Sequence, residues 1–377
     1  VDKEKMTVSS STLFHSTKVG PYELKHRVVL APLSRFRCDE EGVPKEMVLE
    51  YYKQRTTEGG LLITEATSVS ENAGGYPGGA GLYTEKQIQG WKKVVDTVHD
   101  NGGIVYSQLW HPGRATSKDF KKDKSQTISA SAVAIQEQCI FTGKPYEEPR
   151  EMTKEDIQAV TQEFAQAAKN AITAGFDGIE IHSANGYILD QFINTSSNFR
   201  NDEYGGSIEN RARFLLEVVD AVVEVIGEER VAVRLSPWSE FQDMEDATPY
   251  DTWSYIVSEL QNKHPELSYI HFIEPRDDYG RKTKNDTVNT LDPFRKIWKG
   301  PFMSAGGYTT KPELAAQIAD ETGNLIAIGR AFIANPDLVY RLKHDKPLTK
   351  YQRDTFYTNE PEGYIDYPFY QEEDNKD

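Results

Sequence analysis

The chain has 377 residues, of which 38% are hydrophobic and 27% are charged, so it can bury a large core and has too little charge bias to suggest disorder. Its formal net charge of −16, from 43 basic and 59 acidic residues, argues against nucleic acid or an anionic membrane as a partner. No apolar run approaches the ~18 residues of a membrane span, and the start VDKEKMTVSSS is unlike a signal peptide. The two cysteines, Cys38 and Cys139, are too few to make a disulfide framework. We therefore expect a cytoplasmic protein.

Eight short apolar segments predict β-strands, and amphipathic stretches with helical spacing lie between them. The strands are predicted at residues 27–31, 61–64, 104–109, 178–181, 231–235, 269–273, 302–304 and 325–328. Eight strand–helix repeats predict an α/β fold, a single (β/α)₈ TIM barrel. A doubly wound open sheet is the structural alternative. Its G-x-G-x-x-G fingerprint does not follow the first strand, which leads into Pro32, Leu33 and Ser34 instead.

Cap residues predict where several helices begin. Thr153 with Asp156 is typical of an N-terminal cap pair, and Ser207 is placed to cap the helix after the fourth strand. Asn335 and Pro336 together predict a cap and a first-turn proline before the last barrel helix.

Three segments exceed what a barrel needs, within one domain predicted over residues 1–377. Residues 12–27, with a Gly-Pro turn, predict an N-terminal hairpin that plugs the bottom of the barrel. Residues 110–152 form a long excursion after the third strand, which we expect to be a lid over the site. The acidic residues 371–377 are expected to be a frayed tail.

The first residues after each barrel strand are the candidates for chemistry, because barrel sites lie at the carboxyl ends of the strands. In chain order they are Pro32, Leu33 and Ser34; Glu65 and Ala66; Gln108 and Trp110; His182, Asn185 and Tyr187; Arg234; Glu274, Pro275 and Arg276; Gly306 and Gly307; Gly329 and Arg330. The set is rich in hydrogen-bond donors and poor in metal ligands, so we expect no metal site.

The last two groups are typical of a phosphate site. SAGGY (304–308) and IGRAF (328–332) follow the seventh and eighth strands, where many barrels bind phosphate through backbone amides. Taken singly, each glycine pair could simply serve a strand-to-helix turn. The two loops together, with the charge of Arg330, favour phosphate binding.

His182, Asn185 and Tyr187 follow one strand within five residues. Each alone has a structural explanation, as a satisfied histidine, a turn residue or a helix-start aromatic. In a barrel with a phosphate site, the three are better explained as a polar cluster facing a ligand. His and Asn can donate to one oxygen and a phenol can supply a proton, which is what reduction of a conjugated carbonyl requires.

Over nearly the whole chain, from about residue 13 to residue 370, the sequence resembles the old yellow enzyme family of flavin-dependent ene-reductases. The motifs that carry the resemblance are APLSRFR (31–37), LLITEAT (61–67), SQLWHPGR (107–114), HSANGYILDQF (182–192), RNDEYGGSIENR (200–211), VRLSPW (233–238), SAGGY (304–308), IGRAFIANPDL (328–338) and TFYTNEPEGYIDYP (355–368). Yeast old yellow enzymes and plant oxophytodienoate reductases are members of this family.

The resemblance implies a non-covalent FMN at the top of the barrel. The implied cofactor-binding residues are Pro32, Leu33, Ser34, Ala66, Gln108, Arg234, Gly306, Gly307, Gly329, Arg330, Phe356 and Tyr357. In this assignment Ser34 lies near the O4/N5 edge of the flavin and Arg234 near N1 and O2. A fixed cation at Arg234 would stabilise the negative charge of a reduced flavin.

The resemblance also implies a reaction in two halves. NADPH or NADH reduces the flavin, and an α,β-unsaturated carbonyl compound then binds over it. His182 and Asn185 would bind the carbonyl oxygen, and Tyr187 would protonate the α-carbon, since a phenol with a pKa near 10 keeps its proton at neutral pH. Trp110 and Tyr357 complete the implied substrate-binding set.

Some positions depart from the commonest family pattern. Gly307 stands where many relatives carry Asn, so phosphate binding there would depend more on backbone amides. Ser34 replaces a frequent Thr and keeps the hydroxyl. The loop at 274–288 matches least well, and it is expected to shape the substrate mouth. No motif that we identify encodes the physiological substrate or the stereochemical preference. The same holds for the choice between NADPH and NADH and for the choice between monomer and homodimer.

Three other functions fit parts of the pattern. A flavin-free phosphosugar isomerase or aldolase would share the barrel and phosphate loops and would need a catalytic lysine or glutamate inside the barrel. Glu65 and Glu180 are present, but no strand-end lysine stands out. A flavin-binding regulatory protein would not need the proton donor Tyr187. A fungal ergot-alkaloid-type aldehyde reductase or isomerase of the same family would keep the flavin and change the product.

Overall fold

The structure of the chain, a computed structural model, describes residues 8–274 and 290–372. Pro275, Arg276 and the rest of the loop to residue 288 lie outside the described residues, as do residues 373–377 of the predicted tail. Among the described residues, no helix has both the length and the apolar character needed to cross a bilayer.

The strands are β1 (Thr17–Val19), β2 (Tyr22–Leu24), β3 (Val28–Leu30), β4 (Leu61–Ile63), β5 (Thr67–Ser68), β6 (Ala80–Gly81), β7 (Ile104–Trp110), β8 (Ile128–Ser129), β9 (Arg150–Glu151), β10 (Gly178–Ser183), β11 (Val231–Leu235), β12 (Tyr269–Ile273), β13 (Phe302–Ala305) and β14 (Leu325–Ile328). The α-helices are α1 (Glu46–Arg55), α2 (Glu85–Asp100), α3 (Lys154–Thr173), α4 (Ile188–Ile193), α5 (Ile208–Ile226), α6 (Pro249–Lys263), α7 (Asp292–Ile297), α8 (Glu313–Thr322), α9 (Arg330–Ala334) and α10 (Leu338–Lys343). Short 3₁₀ helices lie at Val8–Ser10, Thr12–Phe14, Glu71–Ala73, Lys118–Phe120, Glu228–Arg230, Phe241–Asp243 and Arg353–Thr355.

Eight parallel strands of the described residues close into a barrel. Their order is β3, β4, β7, β10, β11, β12, β13 and β14, and β14 pairs back onto β3. Helices follow the strands in chain order, as parallel crossovers require. The predicted TIM barrel is therefore confirmed.

Side chains alternate along each strand between the barrel interior and the surrounding helices, because the strand repeat is two residues. The interior core includes Val29, Tyr106 and Met303. Val19 and Leu24 of the hairpin formed by β1 and β2 pack into this same core. The hairpin predicted within residues 12–27 is therefore present and covers one end of the barrel.

Two predicted helix caps are confirmed and one is wrong. Thr153 and Asp156 form a reciprocal capping box on α3, and the Ser207 side chain accepts a hydrogen bond from the first turn of α5. Asn335 does not begin the last helix: it ends α9, and its side-chain amide donates to the carbonyls of Ala331 and Thr349. The N-cap of α10 is Asp337, so a tertiary contact has overridden the local Asn-Pro signal.

Strand β10 is longer than the predicted segment 178–181. It continues to Ser183 because parallel pairing with β11 extends through His182 opposite Arg234 and Ser183 opposite Leu235. His182 is consequently held by the barrel itself rather than by a loop. Its side chain shares the inward-facing register of Arg234.

Candidate active site

A cavity of about 300 Å³ lies at the carboxyl ends of the barrel strands, at the lower end of the size range of ligand pockets. It brings together all but one of the residues that the resemblance assigns to the cofactor, the substrate and catalysis. Those that line it are Pro32, Leu33, Ser34, Ala66, Gln108, His182, Asn185, Tyr187, Arg234, Gly306, Gly307, Gly329, Arg330, Phe356 and Tyr357.

Trp110 is the predicted site residue that does not line this cavity. It is buried behind Tyr187, with the two rings edge to face and their centroids 5.3 Å apart. It lines an adjoining cavity of about 1050 Å³, whose wall also includes Ser34 and Ala66. The indole N–H of Trp110 has no hydrogen-bond partner among the described residues.

The floor of the cavity is a layer of polar side chains above the apolar barrel interior. Gln108 and Arg234 line the cavity, and Glu180 lies fully buried beside them. The Nε–H of Arg234 has no partner among the described residues, although this atom is buried. Burial lowers the pKa of Arg234, and the charge of the nearby Glu180 carboxylate opposes this shift. A buried donor of this kind suits an acceptor atom on a ligand.

One end of the cavity is built from glycine loops and an arginine. Gly306 and Gly307 have φ of 112° and 85°, backbone conformations that residues with a side chain rarely adopt. Because these two glycines have no side chains, their backbone itself lines the cavity. A Cβ on Gly329 would approach Leu33 to 3.1 Å. Arg330 donates through Nη1 to the Tyr351 hydroxyl over 3.2 Å and lines the same end. This end suits a group with several negative oxygens.

His182 is neutral and its tautomer is fixed. Burial, aided by the positive charge of Arg234, lowers the pKa of His182 to about 3. The backbone N–H of Ala184 donates to Nδ1 over 3.3 Å, so Nδ1 carries no hydrogen. The hydrogen of the neutral ring is therefore on Nε2, where it can be donated to a ligand in the cavity.

The backbone of Asn185 is held in an unfavourable conformation, with φ of 57°. Three contacts fix it. Its N–H donates to Ser236 Oγ over 2.8 Å, its carbonyl accepts from Gln242 Nε2 over 2.6 Å, and the next N–H, of Gly186, donates to Asp190 over 2.9 Å. Strain of this kind persists only where the surroundings over-determine it, and it is common at functional sites.

Tyr187 is the N-cap residue of α4, which places its ring beside the end of β10. Its ring centroid is 4.9 Å from that of His182, with the rings almost perpendicular. Behind Tyr187, Asp190 is fully buried, and burial raises its pKa to about 7 despite hydrogen bonds from Gly186 and Asn194. His182, Asn185 and Tyr187 therefore share one wall of the cavity.

Several lining residues were missed by the sequence analysis. They include Ile140 and Phe141 of the predicted lid, Ser236, Trp238 and Phe241 after β11, Tyr308 and Thr309 after β13, and Arg353 near the carboxyl terminus. Thr309 had a local signal, because it directly follows the SAGGY motif; its hydroxyl accepts from the N–H of Ala331 over 2.9 Å and so joins the two glycine loops. Phe141 had none, since it is held at the mouth by ring contacts with residues distant in sequence, among them Phe36 and Tyr357 at 5.1 and 4.8 Å between centroids.

The carboxyl-terminal segment that carries Phe356 and Tyr357 is fastened by buried arginines. Arg37, fully buried, donates to the carbonyls of residues 355, 356, 360 and 362 and to the hydroxyl of Thr358. Arg35 donates to the carbonyls of Phe356 and Gly363. Both arginines belong to the loop after β3, so this loop positions the segment over the cavity.

Comparisons with known proteins agree over most of the chain. A family model described as the NADH:flavin oxidoreductase / NADH oxidase family matches residues 12–349. The 12-oxophytodienoate reductase 1 of Oryza sativa subsp. japonica is 47% identical over 363 residues, which cover 95% of this chain and 93% of that protein. Flavin oxidoreductase hxnT of Emericella nidulans is 44% identical over 384 residues, covering 95% and 98%. The solved structure of morphinone reductase superimposes with a TM-score of 0.88 at 38% identity, covering 96% of each chain.

Proposed function

Because the chain belongs to the NADH:flavin oxidoreductase / NADH oxidase family, the family of the old yellow enzymes, we propose that it reduces the C=C bond of α,β-unsaturated aldehydes and ketones. It is an FMN-dependent oxidoreductase of the ene-reductase type, with NADH or NADPH as the reductant. Membership of this family excludes the flavin-free phosphosugar enzyme among the alternatives.

The residues of the cavity fit FMN. Gly306, Gly307 and Arg330 would hold the phosphate, since backbone without side chains and a guanidinium suit its oxygens. Gln108 and Arg234 would meet the polar edge of the flavin ring. The observation that supports this is the buried Nε–H of Arg234, which lacks a partner among the described residues.

The wall formed by His182, Asn185 and Tyr187 carries the proposed chemistry. FMN, when bound, supplies the hydride for the β-carbon. His182 Nε2–H and the Asn185 side-chain amide would donate to the carbonyl oxygen, where negative charge develops as the alkene is reduced. Each such donor is typically worth ~2.7–4 kcal/mol of transition-state stabilisation. Tyr187 would hold the proton that the α-carbon receives.

The neutral, tautomer-fixed His182 is the single observation that most favours this function. A protonated histidine beside Arg234 would place two positive charges together in the cavity, whereas a neutral ring donates one hydrogen bond without adding charge. Binding of FMN alone would not require a proton donor such as Tyr187 in the same wall, which disfavours a purely regulatory flavin protein.

A spectroscopic titration of the purified protein tests the proposal. We expect a yellow protein that bleaches on anaerobic addition of NADPH and regains its colour when 2-cyclohexen-1-one is added. A protein that bleaches but does not respond to the enone, or to an enal offered in its place, would contradict the substrate class while leaving the flavin site intact. Cytoplasmic location and a monomeric or dimeric state stay predictions.

A further inference from the structure

A buried carboxylate joins the polar side chains on the floor of the cavity. Glu180 Oε1 accepts from Gln108 Nε2 over 2.9 Å. Its Oε2 accepts from the Tyr269 hydroxyl over 2.7 Å and from His271 Nδ1 over 3.0 Å. Glu180, Tyr269 and His271 are fully buried, and Arg234 lies near enough for its charge to act on Glu180. An acidic residue at this depth in a barrel interior is uncommon, because an unpaired buried charge is very costly.

We propose that Glu180 is a positioning residue of the flavin site, which orients the side-chain amide of Gln108 and offsets part of the positive charge of Arg234. The inference rests on the proposed function, which places Gln108 and Arg234 against the flavin. Glu180 itself does not line the cavity, so it acts through these two residues.

The first effect of Glu180 follows from hydrogen-bond chemistry. An ionised carboxylate only accepts hydrogen bonds, so the NH₂ group of Gln108 must face it and the opposite orientation would bring two oxygens together. The amide oxygen Oε1 of Gln108 is then directed away from Glu180 and is available to a donor on the ligand. Burial by itself would raise the pKa of Glu180, but His271, Arg234 and the Tyr269 hydroxyl outweigh it and lower the pKa to about 2, so the carboxylate is ionised at neutral pH.

The second effect of Glu180 is electrostatic. Charge close to a flavin tunes its electronic properties, and a positive charge favours the reduced, anionic state. The Glu180 carboxylate opposes the charge of Arg234, and the low dielectric of a buried site keeps this opposition strong. Burial lowers the pKa of His271, and the charge of the Glu180 carboxylate opposes that shift.

The reduction potential of the bound FMN is the test of the charge effect. Glu180→Gln removes the charge in nearly the same volume, and we expect the ratio of affinities for reduced over oxidised FMN to rise at least ~10-fold, which for a two-electron couple is a potential ~30 mV more positive. Tyr269→Phe is the matched control, because it removes one hydrogen bond to the same carboxylate and keeps the charge. A Glu180→Gln potential equal to that of the wild type would overturn the proposal.

FMN titration of the apoprotein tests the orienting effect with a variant that keeps the charge. Glu180→Asp is one methylene shorter, so it should no longer reach Gln108 and should raise the Kd of oxidised FMN ~10-fold. In a Gln108→Ala background the same substitution should change the Kd by less than ~2-fold, since the coupled partner is gone. Equal losses in both backgrounds, or no loss in either, would refute action through Gln108. A Gln108→Ala single variant with unchanged Kd would instead contradict the proposed flavin contact of Gln108.

Discussion

The backbone N–H of Asn185 donates to the Ser236 hydroxyl over 2.8 Å, which joins the loops that follow neighbouring strands β10 and β11. Asn185 has φ of 57°, in the left-handed region that few residues with a side chain adopt, Asn among them. The loop after β11 also supplies Gln242, whose amide donates to the carbonyl of Asn185. The position of the Asn185 side chain is therefore set by the adjacent strand as well as by its own.

Ser236→Ala should weaken substrate binding through Asn185. It leaves the Asn185 N–H without its partner, and an unsatisfied buried donor costs ~1–3 kcal/mol. We expect kcat/KM for 2-cyclohexen-1-one to fall ~10-fold, with FMN content unchanged. Ser236→Thr keeps the hydroxyl and should stay within ~3-fold of the wild type. Equal losses of kcat/KM in both variants would indicate that the packing of the Ser236 side chain, rather than its hydrogen bond, supports substrate binding.

Gly186 should tolerate no side chain. It has φ of 79°, and a Cβ there would approach Gln242, Met244 and the carbonyl of Phe241 to 3.0–3.1 Å. Gly186→Ala should lower the free energy of unfolding by ~2–4 kcal/mol, since backbone strain and overpacking add. Gly206→Ala is the control: its φ is 90°, but no atom of the described residues lies within 4 Å of the place its Cβ would take, so only the strain of ~1–2 kcal/mol applies. Chemical denaturation of the two variants measures the difference, and equal losses would contradict the crowding argument.

The fold could be read from the sequence because its signals are local. Strand-length apolar runs, helical spacing and the caps at Thr153 and Ser207 each depend on neighbours within a few residues. The signal at Asn335 failed for the opposite reason. Its side-chain amide donates to the carbonyl of Thr349, fourteen residues away, and no local rule includes that contact.

The sequence predicted the cavity-lining residues that directly follow barrel strands. It did not predict the residues that a distant segment of the chain brings to the cavity. Gln108, His182 and Arg234 were found because the carboxyl ends of parallel strands meet at one face. Phe141 was not, since it contacts Tyr357 at the mouth, a residue far from it in sequence. Trp110, which the resemblance places in the substrate-binding set, packs edge to face against Tyr187 at the start of α4, a tertiary contact that no strand-end pattern includes.

Arg37→Met should release the carboxyl-terminal segment. The substitution keeps an unbranched apolar stem but removes the guanidinium that donates to the carbonyls of residues 355, 360 and 362 and shares the carbonyl of Phe356 with Arg35. We expect weaker FMN binding, by ~10-fold or more, and faster proteolytic cleavage within residues 355–364. Arg213→Met, on a partly exposed arginine of α5, is the matched control and should change neither. Wild-type protease resistance in Arg37→Met would show that the segment is held by other contacts.

His26 should make the fold sensitive to acid. The ring accepts from the N–H of Val28 and pairs with the Thr57 hydroxyl, and burial together with the charge of Lys343 lowers its pKa to about 4. The unfolded chain, with a pKa near 6.5, takes up the proton first, so the stability is fully present above pH 6.5 and is lost as the pH falls toward 4. Between pH 7.5 and 5 the wild type should lose ~2 kcal/mol more than His26→Gln, which does not titrate. Urea unfolding at the two pH values measures this, and parallel pH profiles would refute it.

Tyr187→Phe separates proton donation from every other role of the ring. The substitution keeps the edge-to-face contacts with His182 and Trp110 and removes only the hydroxyl. Anaerobic reduction by NADPH needs no proton from this residue, so its rate and the FMN content should match the wild type. Reoxidation by 2-cyclohexen-1-one should slow by ~10²–10⁴-fold, the usual cost of losing a general acid. Reoxidation as fast as the wild type would show that another donor, or water, protonates the α-carbon. A product of the variant that is rearranged rather than reduced would show that proton donation by Tyr187 is what directs the wild type to reduction instead of isomerisation.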